Sequence, residues 1–288
     1  MKNCPGKRVG VHSVGNHTAI ELVARDRPGL LSEISAVLAD LQFNVAAAEV
    51  WTHNRRIACV LYVNDYSTNH AVHDLNRLSI MEEQLKHILR GSEDDDKVAR
   101  TSFSLGFTHT DRRLHQMLFA DRDYEGSGVT SEVDYPSSFK PKITEYFIRH
   151  MDGCTLDAEG EKERVIKCLE ASIHRRVSEG LSLELCAKDR VGLLSEVTRI
   201  LRENGLSVRR AGISTIGEEA VNVFYVRDTY GNPVDSKKIE ALRREIGHTM
   251  MLNVKKDPGS AKASEAEAIS GWAKTSFFFG NLLDKLLA

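Results

Sequence analysis

The residues Asp26-Arg27-Pro28-Gly29-Leu30-Leu31-Ser32-Glu33 return in almost the same order as Asp189-Arg190-Val191-Gly192-Leu193-Leu194-Ser195-Glu196. Each copy sets a carboxylate and a glycine before an apolar helical stripe, made in the first by Leu30, Leu31, Ile34, Val37, Leu38 and Leu41. The opening amides of a helix have no intrahelical acceptor. They can donate to a carboxylate while the aspartate accepts from an ammonium, and a free α-amino acid presents both groups on one carbon. Gly29 and Gly192 let the backbone come close to a ligand, and Pro28 fixes φ near the helix start. That chemistry is recognition without bond-making. An ordinary helix start uses the same residue types, because aspartate is a common cap and Pro-Gly a common turn.

Other reactive residues form weaker patterns. His109 and His115 miss the i,i+4 spacing of a helical metal pair, and no carboxylate or cysteine completes a set around them. The acidic run 93–97 lacks the interleaved glycine of a calcium loop. Cys4, Cys59, Cys154, Cys168 and Cys186 form no CxxC pair, and two of them lie inside apolar runs, which suits buried thiols in a reducing compartment. No metal and no cofactor is therefore expected. The 39 basic and 41 acidic residues nearly cancel, so charge draws the chain neither to nucleic acid nor to an anionic membrane. The strand 57–63 offers one aromatic, fewer than an RNA-recognition sheet needs. The sequence has no apolar run of the roughly 18 residues that span a bilayer and no secretory h-region at its start, so a cytosolic or nuclear address is expected.

These residues need elements to hold them. Residues 17–25 form a β-rich run, 30–41 a helix, and 43–52 and 56–65 two further strands joined by a tight turn at His53-Asn54. An amphipathic helix follows within 71–90 and a closing strand within 99–107. The order β-α-β-β-α-β is the ferredoxin-like split βαβ unit. It repeats without a gap over 181–256, with the turn, the helix start and the strand ending Tyr-Val-x-Asp shared between copies. The fold class expected is therefore α+β, two tandem ferredoxin-like domains with antiparallel sheets. The boundaries run as a flexible N-terminus at 1–16, a domain at 17–108, a linker at 109–140, a truncated repeat at 141–176, a second domain at 178–256, and a spacer with an apolar tail at 257–288. In the truncated repeat, Ile148-Arg149 match Val226-Arg227, Gly153 matches Gly231 and Leu156-Asp157 match Val234-Asp235, but the acidic turn and first helix are missing. Half a unit cannot close its sheet, so this stretch must borrow strands or stay poorly ordered. A deletion of roughly 40 residues between Thr144 and Glu145 accounts for the shortfall.

A βαββαβ unit with Asp-Arg-x-Gly-Leu-Leu at its first strand-to-helix turn resembles the ACT domain, a small-molecule-sensing module of amino-acid metabolism. The stretches 51–54 (WTHN), 108–125 (THTDRRLHQMLFADRDYE), 176–186 (RVSEGLSLELC) and 277–283 (FFFGNLL) further resemble the plant ACT domain repeat proteins, built of little except tandem ACT domains. Relative to that family the chain lacks an N-terminal repeat and the front half of an internal one. The resemblance implies effectors bound between the turn and the start of the second strand of a packed partner domain. This marks Asp26, Gly29, Leu30, Asn44 and Val45 in the first unit, and Asp189, Gly192, Leu193, Ser207 and Val208 in the second. With Pro28 in its turn and Asn44 against the shorter Ser207, the first unit is the better equipped. The function implied is a non-enzymatic regulatory protein that binds a free amino acid, glutamine or a relative, and signals to a protein partner through ACT-ACT pairing. Two alternatives stand beside it: a regulatory fragment related to the ACT pair of bacterial uridylyltransferase-type enzymes, and a purely structural interaction module.

Overall fold

The computed structural model describes residues 12–14, 17–90, 100–101, 110–125, 148–175, 180–247 and 250–255. The first unit runs β1 (His12–Val14), β2 (His17–Arg25), α1 (Leu30–Asp40), β3 (Phe43–His53), β4 (Arg56–Asp65), α2 (Leu75–Leu89) and β5 (Arg100–Thr101). After it come α3 (Thr110–Ala120), a 3-10 turn (Asp123–Glu125) and α4 (Glu159–His174). The second unit runs β6 (Leu181–Lys188), α5 (Leu193–Glu203), β7 (Leu206–Ile216), β8 (Glu219–Asp228), α6 (Ser236–Ile246) and β9 (Met251–Lys255).

Local chemistry sets the element ends. The β3–β4 hairpin closes over Asn54 and Arg55, whose φ values of 44° and 60° give the twist that suits a two-residue turn. That is one residue later than the expected turn at His53-Asn54. The carboxylate of Asp74 accepts from the amides of Asn76 and Arg77, so α2 starts there rather than at residue 71.

The nine strands among the described residues form one sheet, in the order β1-β2-β4-β3-β7-β8-β6-β9, with β5 pairing β2. The seam is the antiparallel pair β3–β7, in register from Ala47↔Ser214 to Trp51↔Arg210. Its central pair, Glu49↔Gly212, joins equivalent positions of the two repeats, so a pseudo-two-fold axis passes there. Along one face α1 packs on α5, and the core runs unbroken beneath both, through Ile34, Leu38, Val50 and Leu61 to Leu183, Leu201, Phe224 and Leu242. Complete burial of one such side chain contributes about 1.5–3 kcal/mol. On the seam's other face Glu49, 2% exposed, accepts from Trp51 Nε1 at 2.8 Å and Arg210 Nε at 2.9 Å, while Arg210 stacks over the Trp51 ring.

Three expectations change. The stretch read as a linker begins with α3, whose Leu114, Met117 and Leu118 cover Val23, Trp51, Val60 and Tyr62 on the back of the first unit's sheet. Arg113 fixes the register of that helix through Glu21, at 2.7 and 2.9 Å. The apolar positions 114, 117 and 118 of α3 keep the helical period inside an otherwise polar segment that runs on into glycines and serines, which is why composition alone favours a linker there. The N-terminal stretch read as flexible contains β1, paired to β2 over His12↔Ala19 to Val14↔His17. In the shortened repeat, residues 148–150 lead into a turn without forming a strand. That turn copies the second unit: the His150 amide donates to Cys154 O and Gly153 to His150 O, as Asp228 does to Asn232 O and Gly231 to Asp228 O. Both glycines have positive φ, 91° and 86°. The expected remainder of the closing strand at 102–107, the rest of the linker at 126–140 and the tail at 257–288 lie outside the described residues.

Candidate functional site

Each acidic turn is tied to its own hairpin, Asp26 N–H donating to Arg55 O and Asp189 N–H to Glu218 O, both at 2.7 Å. The glycines then stand at the N-cap positions of α1 and α5 with φ of 86° and 82°, and neither helix receives a side-chain cap. This φ is the left-handed region that glycine enters at little cost. Asp26 and Asp189 are therefore not capping residues, which removes the simplest structural reason for them. The arginines beside them are engaged locally, Arg27 with Glu33 at 2.5 Å and Arg190 with Glu196.

The pseudo-two-fold brings each turn against the other unit's second strand. At the second turn, Asn44 Nδ2 donates to Asp189 Oδ2 at 2.7 Å across the seam. Asn44 and Val45 thus join Asp189, Gly192 and Leu193 around one cleft, closed further by Ser35, Ala39 and Phe43 of the first unit and by Ile213, Ala220 and Asn222 of the second. Asn222, 3% exposed, carries an Oδ1 with no hydrogen-bond partner among the described residues, and outside the cleft's lining the Thr215 hydroxyl on β7 has none either. Buried acceptors without partners are uncommon and each calls for an explanation. About 20 Å³ of the cleft is open to the centre of a water molecule, room for roughly one ordered water.

The first turn is built differently. Asp26, Gly29 and Leu30 face the end of β7 that carries Ser207 and Val208, but the side chain of Arg202 lies on the turn: a Cβ placed on Gly29 would stand 2.7 Å from its Cδ. The matching atom at Gly192 meets only the Cβ of Ala39, at 3.9 Å. Burial pushes the carboxyl of Asp26 up to about 6, against the pull of Arg209 and Arg27. Arg209 is the extra residue of a β-bulge between Val208 and Arg210, and Thr52 Oγ1 holds that bulge through Val208 O and Arg209 O at 3.3 and 3.0 Å. Leu30 and Leu193 are 1% and 4% exposed and belong to the core, although Leu193 also walls the cleft.

So the site residues separate into two mixed sets, each drawing its turn from one unit and its strand from the other. The turn expected to be better equipped is the one its neighbours fill. Sequence reasoning missed Asn222, Ala39, Arg202 and Arg209. Aligning the repeats position by position exposes them: Arg202 stands against Ala39, Arg209 against Ala46 and Asn222 against Cys59.

Among the described residues no group of three or more His, Cys, Asp or Glu side chains could hold a metal ion, and no helix is long and apolar enough to cross a membrane. The ACT domain family matches residues 18–86 and 181–247, which are the two units of the sheet. ACT domain-containing protein ACR3 of Arabidopsis thaliana is 62% identical over 339 positions, covering 98% of this chain and 74% of that protein. ACT domain-containing protein ACR6 of the same plant is 42% identical over 94% of this chain and 74% of its own length. A bifunctional uridylyltransferase/uridylyl-removing enzyme of Haemophilus influenzae is 37% identical over 74 residues, which is 26% of this chain and 9% of the enzyme. With its paired βαββαβ units and these relatives, the chain belongs to the plant ACT domain-containing proteins built from tandem ACT repeats.

Proposed function

We propose that this chain is a non-enzymatic regulatory protein that binds one class of ligand, a free amino acid such as glutamine or a relative, in the cleft between Asn44, Asp189 and Asn222. The observation that carries the proposal is the buried Asn222 Oδ1, an acceptor without a partner in a cleft whose other wall holds the Asp189 carboxylate. An ammonium group brings three donors and satisfies both. The ligand's carboxylate then faces the first turn of α5 at Leu194 and Ser195, where helix amides and dipole favour an anion.

The cleft has room for about one water, so an amino acid must part α1 from α5 or shift the start of β3 to be held there. Those elements belong to different units, which makes binding a change in how the units pair. A ligand biases that pairing only by its difference in affinity for the two arrangements. The receiver of the signal is a protein partner, and the place proposed is the cytoplasm or nucleus. Neither nucleic acid nor a membrane is proposed as a partner. Likeness to the uridylyltransferase extends over 74 residues, 9% of that enzyme, so its catalytic activity is not proposed for this chain.

A thermal-shift panel of the free amino acids on the purified chain tests the reading. At about 100 times its dissociation constant the ligand stabilises by about 2.7 kcal/mol. Asn44→Ala, Asp189→Asn and Asn222→Ala each remove the shift. Absence of any shift with every amino acid at millimolar concentration ends the proposal.

A further inference from the structure

The two composite sites are related by the pseudo-two-fold, yet their polar groups are satisfied to different degrees. At the Asp189 turn the neighbouring positions hold alanines, Ala39 and Ala46; among the described residues the Asn222 Oδ1 acceptor in the cleft has no partner, nor does the Thr215 hydroxyl farther along β7. At the Asp26 turn the same two neighbours are Arg202 and Arg209. Thr52, the counterpart of Thr215, has both its carbonyl partners, at 3.0 and 3.3 Å. The stem of Arg202 lies where a ligand backbone would approach Gly29, and the guanidinium of Arg209 is the largest favourable charge acting on the Asp26 carboxylate.

We infer that the chain occupies one of its own two sites: Arg202 and Arg209 fill at the Asp26 turn the place that an amino acid takes at the Asp189 turn. A guanidinium replaces the ligand's ammonium, and an aliphatic stem replaces its backbone. The chain therefore takes one amino acid, not two, and its pairing seam is loaded from one side. This rests on the amino-acid reading of the Asp189 cleft but makes a separate claim, that the second site exists and is closed by two side chains. Removing those side chains opens it to ligands of the same class. Cys59 stands there in place of Asn222, so the opened site lacks the floor acceptor and binds more weakly.

Two measurements test it. Calorimetric titration of the whole chain with each free amino acid counts the sites: one equivalent is expected for the wild type and two for Arg202→Ala/Arg209→Ala. Adding Asp189→Asn to that double variant returns the count to one, and adding Asp26→Asn instead removes the weaker site. Arg202→Lys keeps stem and cation and stays at one. Two equivalents in the wild type, or one in the double variant, overturns the inference while leaving the sensing function intact. A double-mutant cycle on melting temperature at pH 7.5 serves if no amino acid binds the wild type, an outcome that ends the sensing proposal. Arg209→Ala should then lower Tm more in the Asp26 background than in Asp26→Asn. Equal shifts in both backgrounds mean that Arg209 does not sit on Asp26, and overturn the inference independently of any ligand.

Discussion

Asp26 shows how one partly buried carboxylate can carry a measurable pH signature. Its ordinary value of 3.8 rises to about 6 because burial disfavours the charged form, and Arg209 and Arg27 only partly compensate. The folded state holds this proton more tightly than the unfolded state, so the group favours folding most in acid. That contribution is lost as pH rises from about 4 through 6. The full shift is worth up to about 3 kcal/mol at 1.36 kcal/mol per pH unit. Asp26→Asn, which never ionises, should therefore be more stable than the wild type in urea titrations at pH 7.5, and should match it near pH 3.5. Equal stability at both pH values would show that Asp26 is not buried. The residue itself was legible in the sequence as half of a repeated turn. Its surroundings were not, because Arg202, which lies on Gly29 of the same turn, and Arg209, whose charge acts on the carboxylate, come from a unit far along the chain and are surface types by composition.

At the scale of elements, α4 is held to the first unit through a charge buried out of water. Asp123 is 1% exposed, and Arg175 donates to both of its oxygens while His53 Nδ1 lies 2.8 Å from Oδ2. Burial raises the carboxyl, but the hydrogen bonds and charges of His53 and Arg175 outweigh it and leave the group below its ordinary range. The stabilisation is thus present above the unfolded pKa and lost only as pH falls through the lowered one, so α4 stays docked in mild acid. Arg175→Ala strands that charge and should cost about 3–5 kcal/mol, seen as faster hydrogen exchange along α4. Arg122→Ala, whose side chain is 64% exposed, should stay within about 0.5 kcal/mol. Outcomes in the reverse order would refute the assignment. The helices and strands of both units follow closely from periodicity, because two nearly complete copies of one pattern check each other. α3 and the Asp123 cluster have no second copy, and their polar residues read as solvent-facing until the sheet is seen to lie under them. Residues 148–175 preserve the turn and the second helix of a unit and leave Ile166 and Ile173 about half exposed. We read them as the back half of an interrupted repeat, and the 339 positions aligned to the first relative, more than this chain possesses, support that.

Over the whole molecule, pairing of the units is the organising contact. A unit alone would expose the β7 edge and the α5 face, both apolar in large part. The pseudo-two-fold at Glu49↔Gly212 shows that the two partners offer nearly the same surface, so a second copy can stand in for the missing one. Residues 178–256 expressed alone should therefore form a dimer by light scattering, through β7 against β7. A soluble monomer would show that the seam depends on features of β3 such as Glu49 and Trp51.

The β3–β7 seam also sets a schedule. The first unit has all its central strands once residue 65 has been made, but β3 lacks its outer neighbour until β7 and β8 emerge. At about 5–20 residues per second that interval is roughly 10–30 s. For that time β3 is a bare edge on the ribosome, and α3, made within it, can cover the sheet's back but not its side. Neighbouring chains on one message carry the same edge, so the partner that arrives first need not come from the same chain. Exchanged dimers are the expected by-product when synthesis is crowded, and slower synthesis between residues 126 and 180 would raise their share.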